Sequence, residues 1–386
     1  MNIPFHKPFV PKSFDEIYSK SIHNGWLTTG PIVQDFENTI RTYTKSKYTI
    51  AANSCTAALH LVLASKEFKR NDRFIAPTYT FAASVEVGEY LNMRPILIDC
   101  DDDYNIDLNQ VEYHLKNDSS IKAIIPVHFA GKPVNMKDLK EITYKRGTFI
   151  LEDAAHALET ESNLGKVGNT NHAAAFSFYA NKNITTAGEG GAVCTNDETL
   201  AKKIRKLSLH GMSKDGWKRF KIGAKWRYDV SDLGYKYNMT DLAASYGNWQ
   251  MQYVDIWHKR RKDIFKKYYN SFSSIEGIIN PLKTSDNEKC AYHLYIIRLD
   301  PSYWTINRDK VIELLNKAGV GTSVHYIPIH LHSYYQNKYG YKASEFPKAS
   351  RFSKTVISLP FYPSLSEAEV SYIIDKMNEI WVKYKK

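Results

Sequence analysis

The stretch YTIAANSCTAALHLVLA occupies residues 48–64 and sets the fold class of the chain. Its first five residues suit a β-strand, a polar turn follows, and the Ala- and Leu-rich run from Ala57 to Ala64 suits a helix. A strand followed by a helix is the building unit of a parallel sheet covered by helices. We therefore predict an α/β fold with a mostly parallel central sheet. Further strands of this pattern are predicted at 73–76, 95–99, 123–128, 149–153 and 173–178.

The length of 386 residues predicts two domains, because one hydrophobic core seldom fills so long a chain. We place a large domain, which includes the N-terminal arm, at 1–250 and a smaller C-terminal α/β domain at 251–386. A single long helical segment through Trp249 and Arg261 is expected to join them, and shorter elements are expected in the second domain at 292–299 and 320–326. The cleft between the domains, at the carboxyl ends of the parallel strands, is the predicted site.

Composition and charge exclude several classes of protein. The chain is 43% hydrophobic and 24% charged, and no apolar run is long enough to cross a bilayer. No export signal is visible at the start, which predicts a cytoplasmic location. The formal charge of +11 is compatible with nucleic-acid binding, but no nucleic-acid-binding module is recognisable, and a phosphate-bearing substrate would benefit equally. The cysteines lack CxxC spacing, which predicts reduced thiols: Cys55, Cys100, Cys194 and Cys290.

Small polar residues lie at 53–56, where the first strand gives way to a helix. The free amides at a helix N-terminus and the helix dipole favour an anion, so this turn suits a phosphate group. A simple N-cap by Ser54 or Thr56 explains the same residues equally well. This turn alone therefore leaves two interpretations open.

Asp153 ends the apolar strand 149–153 and precedes Ala154, Ala155 and His156. An unpaired carboxylate is costly at a buried strand end, and a cationic partner would offset that cost. The protonated ring nitrogen of pyridoxal phosphate is such a partner. The alternative, an Asp that caps the next helix, accounts for the position but not for the buried strand before it.

Lys182 lies in the run FSFYANKNITTAGEGG at 176–191, five residues after Ser177. A lysine near apolar walls or other cations loses its proton and becomes a nucleophile that can bind an aldehyde as a Schiff base. The alternative is a surface lysine in a loop. With the polar turn and Asp153, these residues match the contacts that pyridoxal phosphate needs at its phosphate, ring nitrogen and aldehyde.

On these motifs the chain resembles the DegT/DnrJ/EryC1/StrS family of nucleotide-sugar aminotransferases, which belong to the fold type I pyridoxal-phosphate transferases. The resemblance covers nearly the whole length. It is carried by the segments 25–31, 53–60, 77–81, 152–157, 176–191, 234–241 and 324–326. The segments 207–212 and 321–325 favour the subgroup that makes UDP-4-amino-4-deoxy-L-arabinose, together with the related spore-coat sugar enzymes.

The resemblance implies a role for each matching residue. Lys182 would bind the cofactor covalently, Asp153 would hold the ring nitrogen, and Phe81 would lie against the ring. His156 would hold the cofactor oxygen or ring, although a histidine packed behind the cofactor is an alternative. Phosphate contacts are implied for Cys55, Thr56 and Ser177, a contact from a second subunit for Asn238, and substrate contacts for Thr29, His325 and Tyr326.

The implied reaction moves an amino group from L-glutamate to carbon 4 of a nucleotide-linked 4-keto sugar, for a surface glycan or lipopolysaccharide. The implied assembly is a homodimer with shared active sites, without nucleic acid or membrane insertion. Alternatives are amination at carbon 3 and a noncatalytic regulator or nucleic-acid-binding protein on this fold. A further branch of this family consists of sugar dehydratases, which use the same cofactor but have histidine at the lysine position. The presence of Lys182 disfavours a dehydratase.

Two positions depart from the family pattern, and two further groups have alternative interpretations. Cys55 stands where glycine or alanine is common, and Lys236 stands where many relatives have asparagine and could alter the preference for the substrate diphosphate.

His330 and His332 would share one face of a strand near His325, but no carboxylate or cysteine completes a metal site, so no metal is predicted. Aromatic residues at 217–226 and 334–335 could stack on a nucleotide base, and the alternative is that they fill a core or a subunit interface.

Overall fold

The computed structural model describes residues 1–23, 25–212, 228–285 and 287–386. Its large sheet has the strand order β1-β9-β8-β5-β4-β2-β3. The strands are β1 (Tyr48–Ala52), β2 (Arg73–Pro77), β3 (Arg94–Ile98), β4 (Ile121–Ile124), β5 (Phe149–Asp153), β8 (Ala173–Ser177) and β9 (Gly191–Thr195). A short hairpin, β6 (Glu161–Ser162) and β7 (Gly165–Lys166), lies between β5 and β8 in the chain.

The large sheet is mostly parallel, as predicted. Strands β3, β2, β4, β5 and β8 pair in parallel, and β9 runs antiparallel to both of its neighbours, β8 and β1. Strand β1 therefore points the same way as β5 and β8, and the residues that follow these three strands meet at one edge of the sheet.

Helices cover the sheet and bury its apolar side chains. Helix α3 is the most deeply enclosed, because nearly all of its side chains from Ala57 onward are buried against the sheet and its neighbours. The helices of this part are α1 (Asp15–His23), α2 (Pro31–Thr44), α3 (Cys55–Ser65), α4 (Ala83–Glu89), α5 (Leu108–Asn117), α6 (Met136–Tyr144), α7 (Glu198–Leu207) and α8 (Asp241–Met251).

The C-terminal part has its own apolar core, built around a small antiparallel sheet with the order β10-β11-β12. Its strands are β10 (Ile278–Ile279), β11 (Tyr295–Leu299) and β12 (Val356–Leu359). Its helices are α9 (Val254–Phe272), α10 (Arg308–Lys317), α11 (Ser333–Tyr339), α12 (Pro347–Ser353) and α13 (Glu367–Tyr384). None of the helices in the described ranges has the length and apolarity needed to cross a membrane.

Two expectations about this region are wrong. The long helix through Trp249 and Arg261 is two helices, since α8 ends at Met251 and Tyr253 leaves the regular helical conformation at φ −109° and ψ −4° before α9 begins. The element expected at 320–326 forms only isolated bridges, from Val320 to Ile3 and from Ser323 to Ser358. The domain boundary near residue 250 stays a prediction.

Candidate active site

A cavity of about 450 Å³ lies at the carboxyl edge of the large sheet. It collects most of the residues that the sequence singles out, from elements far apart in the chain. The predicted residues on its wall are Cys55, Thr56, Phe81, Asp153, His156, Ser177, Lys182, His325 and Tyr326. The sheet produces this convergence, because β1, β5 and β8 end at the same edge.

The start of helix α3 forms one end of the cavity. Ser54 has extended backbone angles and its hydroxyl accepts a 3.1 Å hydrogen bond from the Ala57 amide, so the N-cap interpretation holds for Ser54. Cys55 and Thr56 follow on the cavity wall. Gly191 lets this backbone approach the sheet, because a Cβ there would lie 2.5 Å from the Ser54 carbonyl. The two interpretations of the turn are therefore compatible.

Asp153 lies at the buried end of β5, where its carboxylate accepts two hydrogen bonds. The Ser84 hydroxyl donates to Oδ2 at 2.7 Å, and the Ala155 amide donates to Oδ1 at 3.0 Å. Burial raises the pKa of Asp153, whereas these hydrogen bonds and the nearby Lys182 lower it. A cation beside this carboxylate would stabilise the charged form of Asp153. The charged carboxylate would in turn keep a pyridine ring nitrogen protonated.

Ser84 is a site residue that sequence reasoning missed. It is fully buried at the start of α4, and its hydroxyl also lies 2.8 Å from that of Thr80 on the cavity wall. Because Ser84 donates its proton to Asp153, Thr80 must donate to Ser84. No local sequence signal marks a serine that reaches a carboxylate 69 residues further along the chain.

Lys182 lines the cavity from the turn after β8, where its amide donates to the Tyr179 carbonyl at 2.9 Å. Burial lowers the pKa of its amine from 10.5 to about 8, although Cys55 and Asp153 oppose this shift. The structure thus places Lys182 on a cavity wall rather than in an open surface loop. With this pKa about a tenth of the amine is unprotonated at pH 7 and about half at pH 8, which supplies the free amine that a nucleophile requires.

His156, His325 and Tyr326 form a polar wall of the cavity. Nε2 of His156 lies 3.1 Å from the Tyr326 hydroxyl, and Nδ1 of His325 lies 2.8 Å from the Ser358 hydroxyl. Burial and the nearby Lys182 keep the pKa of His156 well below its usual value, and they lower that of His325 to about 4. Both rings are therefore neutral at physiological pH.

Phe81 contrasts with these buried groups because 61% of its side chain is exposed. Its ring lies at the cavity, 6.1 Å from that of Tyr326 between centroids and inclined by 49°. A large aromatic side chain exposed beside a cavity offers a flat apolar face to a planar ligand. This geometry suits the ring contact that the resemblance implies for Phe81.

Thr29 and Asn238 are not on the wall of this cavity but bind each other. The Asn238 amide donates to the Thr29 hydroxyl at 2.7 Å, and that hydroxyl donates to the Met239 carbonyl at 2.5 Å. Lys236 also donates to the Asn238 side-chain oxygen, at 2.5 Å. The contacts expected of Thr29 with substrate and of Asn238 with a second subunit stay predictions.

A buried polar network lies behind Lys182, and sequence reasoning missed it as well. Asn183 donates to Glu159 at 2.7 Å, and its side-chain oxygen lies 3.0 Å from Nδ1 of His293. Glu159 also forms an ion pair with Arg261 of helix α9, and both side chains are almost fully buried. Asn183 follows Lys182 directly, so the network ties the lysine turn to the C-terminal part.

The histidines considered for a metal site have other partners. Residues 329–331 form a turn of 3₁₀-helix, so His330 and His332 do not share the face of a strand. His330 is buried between the hydroxyls of Thr78 and Ser350, at 2.7 Å and 2.8 Å. Throughout the part of the chain that the structure describes, no three His, Cys, Asp or Glu residues are grouped as metal ligands.

The aromatic candidates for base stacking are poorly placed or outside the described ranges. Tyr335 is buried in the core, and Tyr334 donates to Glu89 at 2.9 Å. The aromatic residues at 217–226 lie outside the described residues.

The cavity groups fit pyridoxal phosphate by their chemistry. A helix N-terminus suits the phosphate, a buried carboxylate suits the protonated ring nitrogen, and an amine of lowered pKa suits the aldehyde. Fold and site together are those of an α/β enzyme that uses this cofactor.

Comparison with known proteins gives the family. The model of the DegT/DnrJ/EryC1/StrS aminotransferase family matches residues 11–378, so the chain belongs to that family. The uncharacterized protein MJ1066 of Methanocaldococcus jannaschii is 41% identical over 378 residues, which is 98% of this chain and 97% of that protein. The spore coat polysaccharide biosynthesis protein SpsC of Bacillus subtilis is 38% identical over 379 residues, with the same coverage.

A solved structure agrees with the fold. Spr1654 of Streptococcus pneumoniae, assigned as a sugar aminotransferase, superposes in its PMP form with a TM-score of 0.91 at 32% identity, covering 99% of this chain and 100% of that one. A PLP form of Spr1654 superposes nearly as well, with a TM-score of 0.90. The predicted family, the fold type I architecture and the pyridoxal-phosphate cofactor are confirmed.

Proposed function

We propose that this aminotransferase moves the amino group of L-glutamate to carbon 4 of a nucleotide-linked 4-keto sugar. The observation that carries the proposal is the Lys182 amine, of lowered pKa, in one cavity with the buried carboxylate of Asp153. A sugar as the substrate is supported by Spr1654, and a surface polysaccharide as the destination of the amino sugar is supported by the name of SpsC.

Each cavity residue has a defined task in this proposal. The amides of Cys55 and Thr56 and the Ser177 hydroxyl would hold the cofactor phosphate, and Phe81 would cover the ring. Asp153, held by Ser84 and Ala155, would keep the ring nitrogen protonated. When bound, pyridoxal phosphate supplies an electrophilic carbon and an electron sink.

Lys182 would move the protons of the reaction. A pKa of about 8 allows its amine to accept and to return a proton near neutral pH, which is the property of an efficient general acid and base. The neutral rings of His156 and His325 would not compete for that proton, because their pKa values lie well below that of the amine. They would orient substrate and cofactor instead.

The nucleotide linkage and the dimer rest on separate observations. A chain with a formal charge of +11 attracts a diphosphate, and Lys236 adds a cation beside Asn238. Thr29 and Asn238 lie off the wall of their own cavity, which supports a contribution to the site of a second subunit. The four free thiols support a cytoplasmic location.

The decisive test is a substrate panel. The cofactor-loaded protein is incubated with L-glutamate and with UDP-, dTDP- or GDP-linked 3-keto and 4-keto sugars, and NMR locates the new amine. The proposal predicts an amine at carbon 4 with one nucleotide preferred. Amination only at carbon 3 would refute the regiochemistry, and a protein that takes up no cofactor and binds DNA with steep salt dependence would instead support the regulator.

A further inference from the structure

Tyr326 presents a hydroxyl to the cavity, and its hydrogen bonding determines what that hydroxyl can do. Its side chain is half-buried on the cavity wall. In the part of the chain that the structure describes, the hydrogen-bond partner of this hydroxyl is Nε2 of His156, at 3.1 Å. A phenol can either donate or accept in such a bond, so the direction depends on the protonation of His156.

The other nitrogen of His156 settles that direction. The backbone amide of Ala130 points at Nδ1 of His156 at 3.2 Å, and an amide can only donate. Nδ1 must therefore be an acceptor without a proton, which places the ring proton on Nε2. Burial, which holds the pKa of His156 well below its usual value, agrees with a neutral ring. His156 thus donates to the Tyr326 oxygen, and the Tyr326 proton is left to point elsewhere.

Ala130 has an uncommon backbone conformation that directs its amide at His156. Its φ of 53° and ψ of 13° lie in the left-handed region, which costs a residue with a side chain about 1–2 kcal/mol. In this conformation its amide reaches His156, while its carbonyl accepts a 3.0 Å hydrogen bond from the His293 amide. Strain of this kind persists where the surrounding contacts fix it, and it is concentrated at functional sites.

The ring of His293 supports His156 from behind. The two ring centroids are 4.3 Å apart, with the planes inclined by 35°. Asn183 directs its amide to two acceptors, Glu159 and the Ala291 carbonyl, so its oxygen must accept from Nδ1–H of His293. The hydrogen bonds therefore place the ring proton of His293 on Nδ1 and that of His156 on Nε2.

We propose that Tyr326 is the hydrogen-bond donor which this chain presents to an oxygen atom bound in the cavity, and that His156 is the positioning residue that aims it. The inference rests on the proposed function, because that oxygen belongs either to the cofactor ring or to the carboxylate of the amino donor. The shared chemistry is an oxygen that bears negative charge. A charged acceptor is the kind that gains most from a fixed donor in a buried site.

The experiment compares two equilibria in the full-length protein. In the first, pyridoxal phosphate is titrated into cofactor-free protein, which gives the Kd of the cofactor. In the second, L-glutamate is titrated into loaded protein, and the change in cofactor absorption gives the apparent affinity for L-glutamate. The variants are Y326F, H156L, H156Q and the double variant H156L/Y326F. The control is Y335F, which removes a buried hydroxyl that lies outside the cavity wall and has no hydrogen-bond partner among the residues that the structure describes.

The inference predicts that Y326F and H156L each weaken one of the two equilibria by about tenfold or more, as expected for a lost hydrogen bond to a charged group. A weaker pyridoxal-phosphate Kd assigns the oxygen to the cofactor, and a weaker glutamate affinity assigns it to the amino donor. H156Q should keep most of the affinity, because its amide offers one acceptor and one donor. The double variant should be no weaker than H156L.

Three results would overturn the inference. They are a Y326F protein within about twofold of the unmodified protein in both equilibria, losses that multiply in the double variant, and an H156Q protein as weak as H156L. Unchanged thermal unfolding of Y326F and Y335F excludes a folding defect. If loaded, unmodified protein fails to react with L-glutamate, the proposed amino donor is wrong, and the pyridoxal-phosphate Kd alone decides about Tyr326.

Discussion

Lys182 illustrates what a single residue reveals in sequence and what it does not. Its chemistry could be predicted because it follows Ser177 at the end of a strand, close to a second strand end at Asp153. The partners that hold these groups could not be predicted. Ser84 lies 69 residues from Asp153, and His293 lies 110 residues from Asn183, so only the folded chain brings them together.

The lowered pKa of Lys182 predicts a pH-dependent effect on stability. Between about pH 8 and 10.5 the unfolded chain binds more protons at this lysine than the folded chain, so the free energy of unfolding rises with pH. Below pH 8 the charged, partly buried amine destabilises cofactor-free protein. We expect K182M to be more stable than unmodified protein by about 1–3 kcal/mol at pH 7, with the difference shrinking toward pH 10.

Urea unfolding of cofactor-free K182M and unmodified protein at several pH values measures this difference. Comparing the two proteins at each pH cancels the titration of all other groups. A K182M protein less stable than the unmodified protein at pH 7 would show that the amine is not penalised by burial.

Ser84 gives a second prediction at this scale. S84A removes a donor from the buried Asp153 carboxylate, which should raise the pKa of Asp153 further and weaken its hold on a protonated ring nitrogen. We expect cofactor affinity to fall by about tenfold, measured by fluorescence titration. S65A is the matched control, because the buried Ser65 hydroxyl donates to the Val62 carbonyl within its own turn of α3 and is remote in the chain from Asp153. Equal losses in both variants would count against a specific role for Ser84.

Elements of the central sheet could be predicted well because each strand and helix there satisfies a local pattern. The strands β1 to β5 and β8 fall where apolar runs alternate with polar turns. The break between α8 and α9 could not be predicted, because neither Gly nor Pro marks residues 252–253. The prediction of a regular element at 320–326 was wrong because the apolar residues of this segment pack against the core without forming a strand.

The position of helix α3 depends on Gly191, which yields a prediction at the scale of elements. In G191A the new Cβ would lie 2.5 Å from the Ser54 carbonyl, so the start of α3 must shift away from the sheet. A shift of this size misplaces the amides that would bind phosphate, and we expect pyridoxal-phosphate affinity to fall by at least about tenfold.

The control is G147A, whose glycine has a φ of 62° and open space around it. That change should cost about 1 kcal/mol of stability, through backbone strain alone, without altering cofactor affinity. A G191A protein that binds pyridoxal phosphate as tightly as G147A would show that the start of α3 does not hold the phosphate.

At the scale of the whole molecule, the ion pair between Glu159 and Arg261 joins the segment between β5 and β6 to helix α9 of the C-terminal part. Removal of one partner leaves a buried charge without compensation, which costs about 3–5 kcal/mol. We therefore expect E159Q to unfold at markedly lower urea concentration. The double variant E159L/R261M should recover most of the loss, and a double variant less stable than E159Q would argue against this explanation.

The central claim is that Lys182 and its cavity make the chain an aminotransferase that draws on L-glutamate. Its most direct test is the absorption spectrum of protein loaded with pyridoxal phosphate, recorded before and after L-glutamate is added without a sugar. We predict that the cofactor band of the unmodified protein converts to that of the amine form, with one equivalent of 2-oxoglutarate released, whereas K182A shows neither change. An unmodified protein that leaves its cofactor unchanged, or a K182A protein that converts it at the same rate, would contradict the account.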